Sequence, residues 1–211
     1  MKKLLIATLF TIGAGTFAPT LIYAQDEVHE SIAIGTAIPK GTAELRTANM
    51  PKNVTLQGEK GRNGLLVVFS CNTCPYVIKM LDRTKSVIEY ARKNNIGVVV
   101  INSNEAQRDD ADSYEAMKAF ASKNYNNSKV AYAVDNGTEV ADAFGASRTP
   151  EFFLFDKNEK LAYKGTIDNN PQDATKVTEQ FLKNAIDAQV KGKAIAVSST
   201  KSIGCSIKRK S

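Results

Sequence analysis

The chain has no tryptophan, one histidine, three cysteines and six prolines in 211 residues. A single imidazole, His29, rules out sites built on several histidines, which removes the usual copper carriers. A zinc set could be completed only as Cys71, Cys74 and Cys205 with His29, which lies near the N-terminus and away from the expected core, so no metal is assigned. Three cysteines are too few to staple a scaffold, and a chain of this length folds on its apolar core without staples. No run of five or more like charges occurs: the 28 basic and 22 acidic residues are dispersed, which argues against a nucleic-acid partner despite the net charge of +6. The terminal Lys208-Arg209-Lys210 reads as a solvated tail. With no internal repeat and no low-complexity linker, one domain is expected.

The N-terminus carries Lys2 and Lys3, an apolar stretch from Leu4 to about Phe17, and Tyr23-Ala24 before the polar Gln25-Asp26-Glu27. This is the layout of a secretory leader, with cleavage expected after Ala24. Gly13, Gly15, Thr16, Pro19 and Thr20 interrupt the apolar stretch and leave it short of the ~18 uninterrupted residues of a membrane span. Residues 1–24 are therefore read as a leader, and the mature chain as exported, periplasmic or secreted, with no stable membrane insertion. Export places the cysteines where thiols can be oxidised.

From residue 64 onward strand-like and helix-like segments alternate, the pattern of an α/β domain, here assigned to residues 25–191. Gly64 to Phe69 (GLLVVF) and Ile96 to Ile101 (IGVVVI) are continuous apolar runs, as in strands covered on both faces. Between them, Val77, Leu81, Ile88 and Ala91 recur at helical spacing, with Pro75 tolerated in the first turn. A second helix is expected to start at Asp112, with Glu115 three residues on, so Asp109, Asp110 and Asp112 read as capping residues rather than a metal cluster. Val130 to Val134 is a third strand, Thr138 to Phe144 a short helix closed by Gly145, and Glu151 to Phe155 with Leu161 to Tyr163 a hairpin. The run Phe152, Phe153 and Phe155 reads as core. A last helix is expected from about Ala174 to Val190 with Val177, Phe181, Ala185 and Ala188 on one face, then a tail, residues 192–211, carrying Cys205.

Cys71 and Cys74 follow a buried strand and open a helix. A thiol at a helix N-terminus faces unpaired backbone N–H groups and the positive end of the helix dipole, which stabilise its thiolate; Cys71 is given that place. A cysteine three residues on can attack a mixed disulfide at the first and release the substrate reduced, so Cys74 is the resolving thiol of the pair. An inert disulfide is disfavoured, because closing a two-residue loop gains little.

The order of strand, CxxC at a helix start, strand, helix, strand, helix, Thr-Pro, hairpin and helix resembles the thioredoxin-like superfamily over about residues 35 to 191. The segments VVFSCNTCPYV (67–77), INSN (101–104), GASRTPEFFLFD (145–156) and GCSIK (204–208) resemble its alkyl hydroperoxide reductase/thiol-specific antioxidant (redoxin) family with a CxxC motif. The resemblance implies a thioredoxin-like α/β fold, a central mixed β-sheet flanked by helices, with an extra helix and strand at residues 112–124 and 130–134. It also implies that the Thr149-Pro150 bond is cis and that both residues shape a substrate groove beside the cysteines. The partners are then protein thiols and disulfides and an upstream thiol electron donor, with no bound cofactor.

Two departures stand out. Ser70 replaces the aromatic residue that often precedes CxxC, and Leu65 stands where many thioredoxins bury an acid. The expected activity is thiol–disulfide exchange with protein substrates. A peroxiredoxin-like thiol peroxidase is the alternative, although its PxxxTxxC signature is broken here by Val68 and by Pro75 following the cysteines; a redox-silent or metal-binding module of the same fold is a lesser one. Cys205, the odd cysteine, is expected to fold back with the tail and exchange with Cys71 as a gate or additional resolving thiol, Gly204 permitting close backbone approach.

Overall fold

The computed structural model describes residues 30–125 and 130–210. The expected leader, residues 1–24, and His29 lie outside the described residues. The elements in chain order are β1 (Gly64–Ser70), α1 (Pro75–Lys93), β2 (Ile96–Asn102), α2 (Tyr114–Asn124), β3 (Ala131–Val134), α3 (Glu139–Phe144), β4 (Arg148–Thr149), β5 (Glu151–Phe155), β6 (Leu161–Gly165), α4 (Phe181–Val190) and β7 (Cys205–Ser206). Five strands form one mixed sheet in the order β3-β2-β1-β5-β6: β1, β2 and β3 run parallel, while β5 pairs antiparallel with β1 and β6. This is the thioredoxin-like α/β arrangement the sequence implies, with α2 and β3 as the extra helix and strand.

Alternate side chains of each strand point to opposite faces, so the continuous apolar runs divide between two cores. Leu66, Val68, Val98, Val100, Phe152 and Leu154 face α1, α2 and α4; Leu65, Val67, Phe69, Val99, Ile101, Phe153 and Phe155 face α3 and the coil of residues 30–63. On that second face Phe69, Phe144 and Phe153 meet edge to face, with ring centroids 5.2 to 5.6 Å apart.

Three expectations are corrected. The second helix is capped by Ser113, whose side chain accepts from the Ala116 N–H, and not by Asp112. The last helix starts at Phe181, after a single turn at Ala174–Lys176, because the Asn169 side-chain oxygen accepts the N–H groups of Thr178 and Glu179 and holds that stretch away from helical pairing. Its buried residues are Leu182, Ala185 and Ile186. The basic end of the tail is tied down rather than solvated: Arg209 pairs with Asp142 at 2.8 Å and donates to the Ala146 carbonyl.

Candidate functional site

The parallel strand β1 ends at Ser70 and delivers Cys71 to the edge of the core; Cys74 occupies the N-cap position of α1, its carbonyl accepting the Ile78 N–H at 3.0 Å. Both cysteines are buried, at 2% and 4% exposure. Facing them is β4, followed by a cis bond between Thr149 and Pro150. Thr149 touches both sulfurs: its Oγ1 lies 3.4 Å from Cys71 Sγ and its carbonyl oxygen 3.2 Å from Cys74 Sγ.

The tail completes the site. β7 pairs antiparallel with β4, placing Cys205 opposite Thr149 and Ser206 opposite Arg148. A disulfide joins Cys74 to Cys205, with Cα atoms 6.1 Å apart, and Cys71 is the free thiol. The tail does fold back as expected, but its bond is to Cys74 and not to Cys71. The Cys71–Cys74 pair read from the sequence is therefore not the bond present: the β7 register sets Cys205 opposite Thr149, whose carbonyl lies against Cys74 Sγ. Gly204 is required here: a Cβ on it would lie 2.2 Å from the Thr149 carbonyl oxygen.

Two buried acids that the sequence reading did not place at the site hold it together. Asp112, fully buried, accepts from the Asn72 N–H at 2.8 Å, from Asn102 Nδ2 at 2.7 Å and from Asn104 Nδ2 at 2.8 Å. Asn72 also donates to the Ala111 carbonyl and accepts from the Tyr132 hydroxyl, so the turn between the cysteines is pinned from both sides. Glu151 accepts the N–H groups of Ser147 and Arg148 through one oxygen and the Ser202 hydroxyl through the other, joining the proline loop to the tail. The available signal was the polar INSN at the end of an apolar strand; charged or amide groups at such a depth need partners.

Burial pushes the Cys71 thiol above its ordinary range; the Thr149 hydroxyl pulls it down, the Asp112 carboxylate raises it, and the N–H groups of Cys74 and Thr73 pull it down. The expected stabilisation of the thiolate is thus outweighed by burial. The N-terminal end of the α1 dipole falls on Cys74, which holds the cap position, three residues after Cys71.

The same geometry can do thiol chemistry without a cofactor. One disulfide and one thiol shared among three sulfurs can exchange partners by thiolate attack alone, with no net oxidation or reduction of the set. The Redoxin family model matches residues 33–182 of the chain. The chain belongs to the Redoxin family. This Redoxin protein is similar to the "hypothetical protein SMc02350" of Sinorhizobium meliloti 1021, at 33% identity over 86% of this chain and 97% of that one, with a TM-score of 0.76. Its fold is also similar to a putative thiol:disulfide interchange protein DsbE from Chlorobium tepidum (19% identity, 77% of this chain and 98% of that one, TM-score 0.53). A third similarity is to the peroxidoxin BcpB of Mycobacterium tuberculosis (13% identity, 75% and 96%, TM-score 0.55). None of the curated proteins compared matches the chain. Membership in the Redoxin family and the placing of three cysteines around Thr149 support a thiol redox function.

Proposed function

We propose that the protein is an exported thiol–disulfide oxidoreductase that exchanges disulfides with protein substrates through Cys71 and Cys74. The observation that carries this reading is the gathering of Cys71, Cys74 and Cys205 on Thr149, with one bond among them and one free thiol. In the reduced protein the Cys71 thiolate attacks a substrate disulfide, forming a mixed disulfide and releasing one substrate thiolate. Cys74 then attacks Cys71 Sγ, releases the second substrate thiolate and leaves a Cys71–Cys74 bond. Attack of the Cys205 thiolate on Cys74 Sγ yields the Cys74–Cys205 bond and returns Cys71 as a thiol. An upstream thiol donor supplies the two electrons that reset the cycle, and electrons pass from the couple of lower potential to that of higher potential. Export is supported by the leader pattern of residues 1–24 and agrees with an oxidised cysteine pair.

The test is insulin-disulfide reduction with dithiothreitol, run beside hydrogen peroxide consumption on the same mature protein. Insulin reduction well above the dithiothreitol blank, with peroxide loss at the buffer rate, is expected. Fast peroxide turnover without insulin reduction would overturn the proposal in favour of a thiol peroxidase.

A further inference from the structure

Between the proline loop and the tail lies a cavity of about 610 Å³, within the size range of small-molecule sites. Its wall reaches the disulfide at two points: Gly204 directly precedes Cys205, and Tyr76 packs against the cluster of Cys71, Cys74 and Val77. Three cations line it, Arg148 from β4, Lys164 from β6 and Lys201 from the tail. Arg148 donates to the Ser206 hydroxyl and Lys164 to the carbonyls of Ser31 and Ile32, all neutral acceptors. Among the described residues none of the three is paired with a carboxylate. Glu151 is the one acid in the lining, so the cavity wall carries a positive surplus that draws anions to it. The sulfurs beside it differ in access. Cys71 and Cys74 are buried, whereas Cys205 is partly exposed. A thiolate arriving from outside therefore meets the Cys74–Cys205 bond at Cys205, with Cys74 as the leaving group. Cys74 holds the N-cap of α1, where no side chain caps the helix and the N–H groups of the first turn favour a departing negative charge.

Resting on the exchange chemistry proposed above, we infer that this cavity binds a small thiol carrying carboxylates, and that this thiol is the upstream reductant, entering at Cys205. Its carboxylates are held by Arg148, Lys164 and Lys201 while its thiolate attacks Cys205 Sγ. The Cys74–Cys205 bond breaks, its electron pair leaves on Cys74, and a mixed disulfide forms on Cys205. A second molecule of the thiol attacks the sulfur of the bound one, expels Cys205 as thiolate and departs as the small disulfide. Two reductant thiols are oxidised to one disulfide, the protein disulfide is reduced to two thiols, and the two protons lost by the reductant are taken up by Cys74 and Cys205. Substrate and reductant thus use different sulfurs, Cys71 for the first and Cys205 for the second.

The test treats the oxidised protein separately with mercaptosuccinate, mercaptoethanol and cysteamine, whose charges run from negative through neutral to positive. Loss of the Cys74–Cys205 bond is timed by acid quenching and mass mapping. Each rate is divided by the rate of the same thiol on uncharged hydroxyethyl disulfide, which removes differences in intrinsic reactivity. At low salt the normalised rate of mercaptosuccinate is expected to exceed that of mercaptoethanol by about tenfold, with cysteamine below both. That ratio should fall toward one in high salt and in Lys201→Glu. Early quenches should carry the adduct on Cys205. Equal normalised rates for the three thiols, a preference for mercaptosuccinate that persists in Lys201→Glu, or an adduct on Cys74 would each overturn the inference, and none of them touches insulin reduction. Insulin reduction no faster than the dithiothreitol blank would instead sink the exchange reading itself.

Discussion

Cys71→Ser is expected to reduce insulin reduction to the dithiothreitol blank while leaving the fold intact. Cys71 is the free thiol in the oxidised protein, and the proposed substrate exchange begins on it. Serine carries no sulfur and its hydroxyl stays protonated where a thiol ionises, so at that position neither a mixed disulfide nor a bond to Cys74 can form. The exchange is nearly isosteric, and a hydroxyl keeps the hydrogen bond to Thr149 Oγ1, so the melting temperature should move by no more than about 4 °C. Cys205→Ser is the informative contrast. It removes the tail bond and should preserve insulin reduction. Activity surviving in Cys71→Ser but lost in Cys205→Ser would place the attacking thiol on the tail.

The second large effect concerns Asp112. Asp112→Ala leaves three donors without an acceptor: the part-buried Asn72 N–H and the buried side-chain amides of Asn102 and Asn104. Orphaned buried donors cost about 1–3 kcal/mol each, and with partial relaxation the expected loss of stability is about 3–5 kcal/mol. For a chain of this size that corresponds to a fall in melting temperature on the order of 10 °C. Asp112→Asn separates structure from electrostatics. It keeps an acceptor oxygen and should lose less stability, yet it removes the charge that helps raise the Cys71 thiol. The pH midpoint for Cys71 alkylation should therefore shift downward in Asp112→Asn. A melting temperature near that of the wild type in Asp112→Ala, or an unmoved Cys71 midpoint in Asp112→Asn, would contradict this role.

Much of the fold was readable because both cores rest on the same short apolar runs. GLLVVF and IGVVVI carry no alternation, and they become β1 and β2 with each face buried against a different set of helices. The resemblance placed the cis bond before Pro150 and the extra helix and strand. Pairing of the cysteines was not readable, since it depends on a two-residue register between segments far apart in the chain. Spacing along the chain favours Cys71 with Cys74; the tail strand instead brings Cys205 to Cys74. Asp112 was obscured by its neighbour: an acid beside a helix start has an ordinary capping role, and only the depth of the loop after β2 turns it inward, leaving Ser113 to cap. Asn169 likewise claims the N–H groups of Thr178 and Glu179 from across a turn, a competition that local helical spacing does not register.

Differential alkylation followed by disulfide mapping of the oxidised full chain tests the three-cysteine arrangement most directly. The account predicts one cross-linked peptide pair containing Cys74 and Cys205, with label on Cys71 alone. It also predicts that this labelling is slow near neutral pH and rises only above the ordinary cysteine range, because the thiol is buried. Recovery of Cys205 as a labelled thiol, with Cys71 and Cys74 joined to each other, would contradict it.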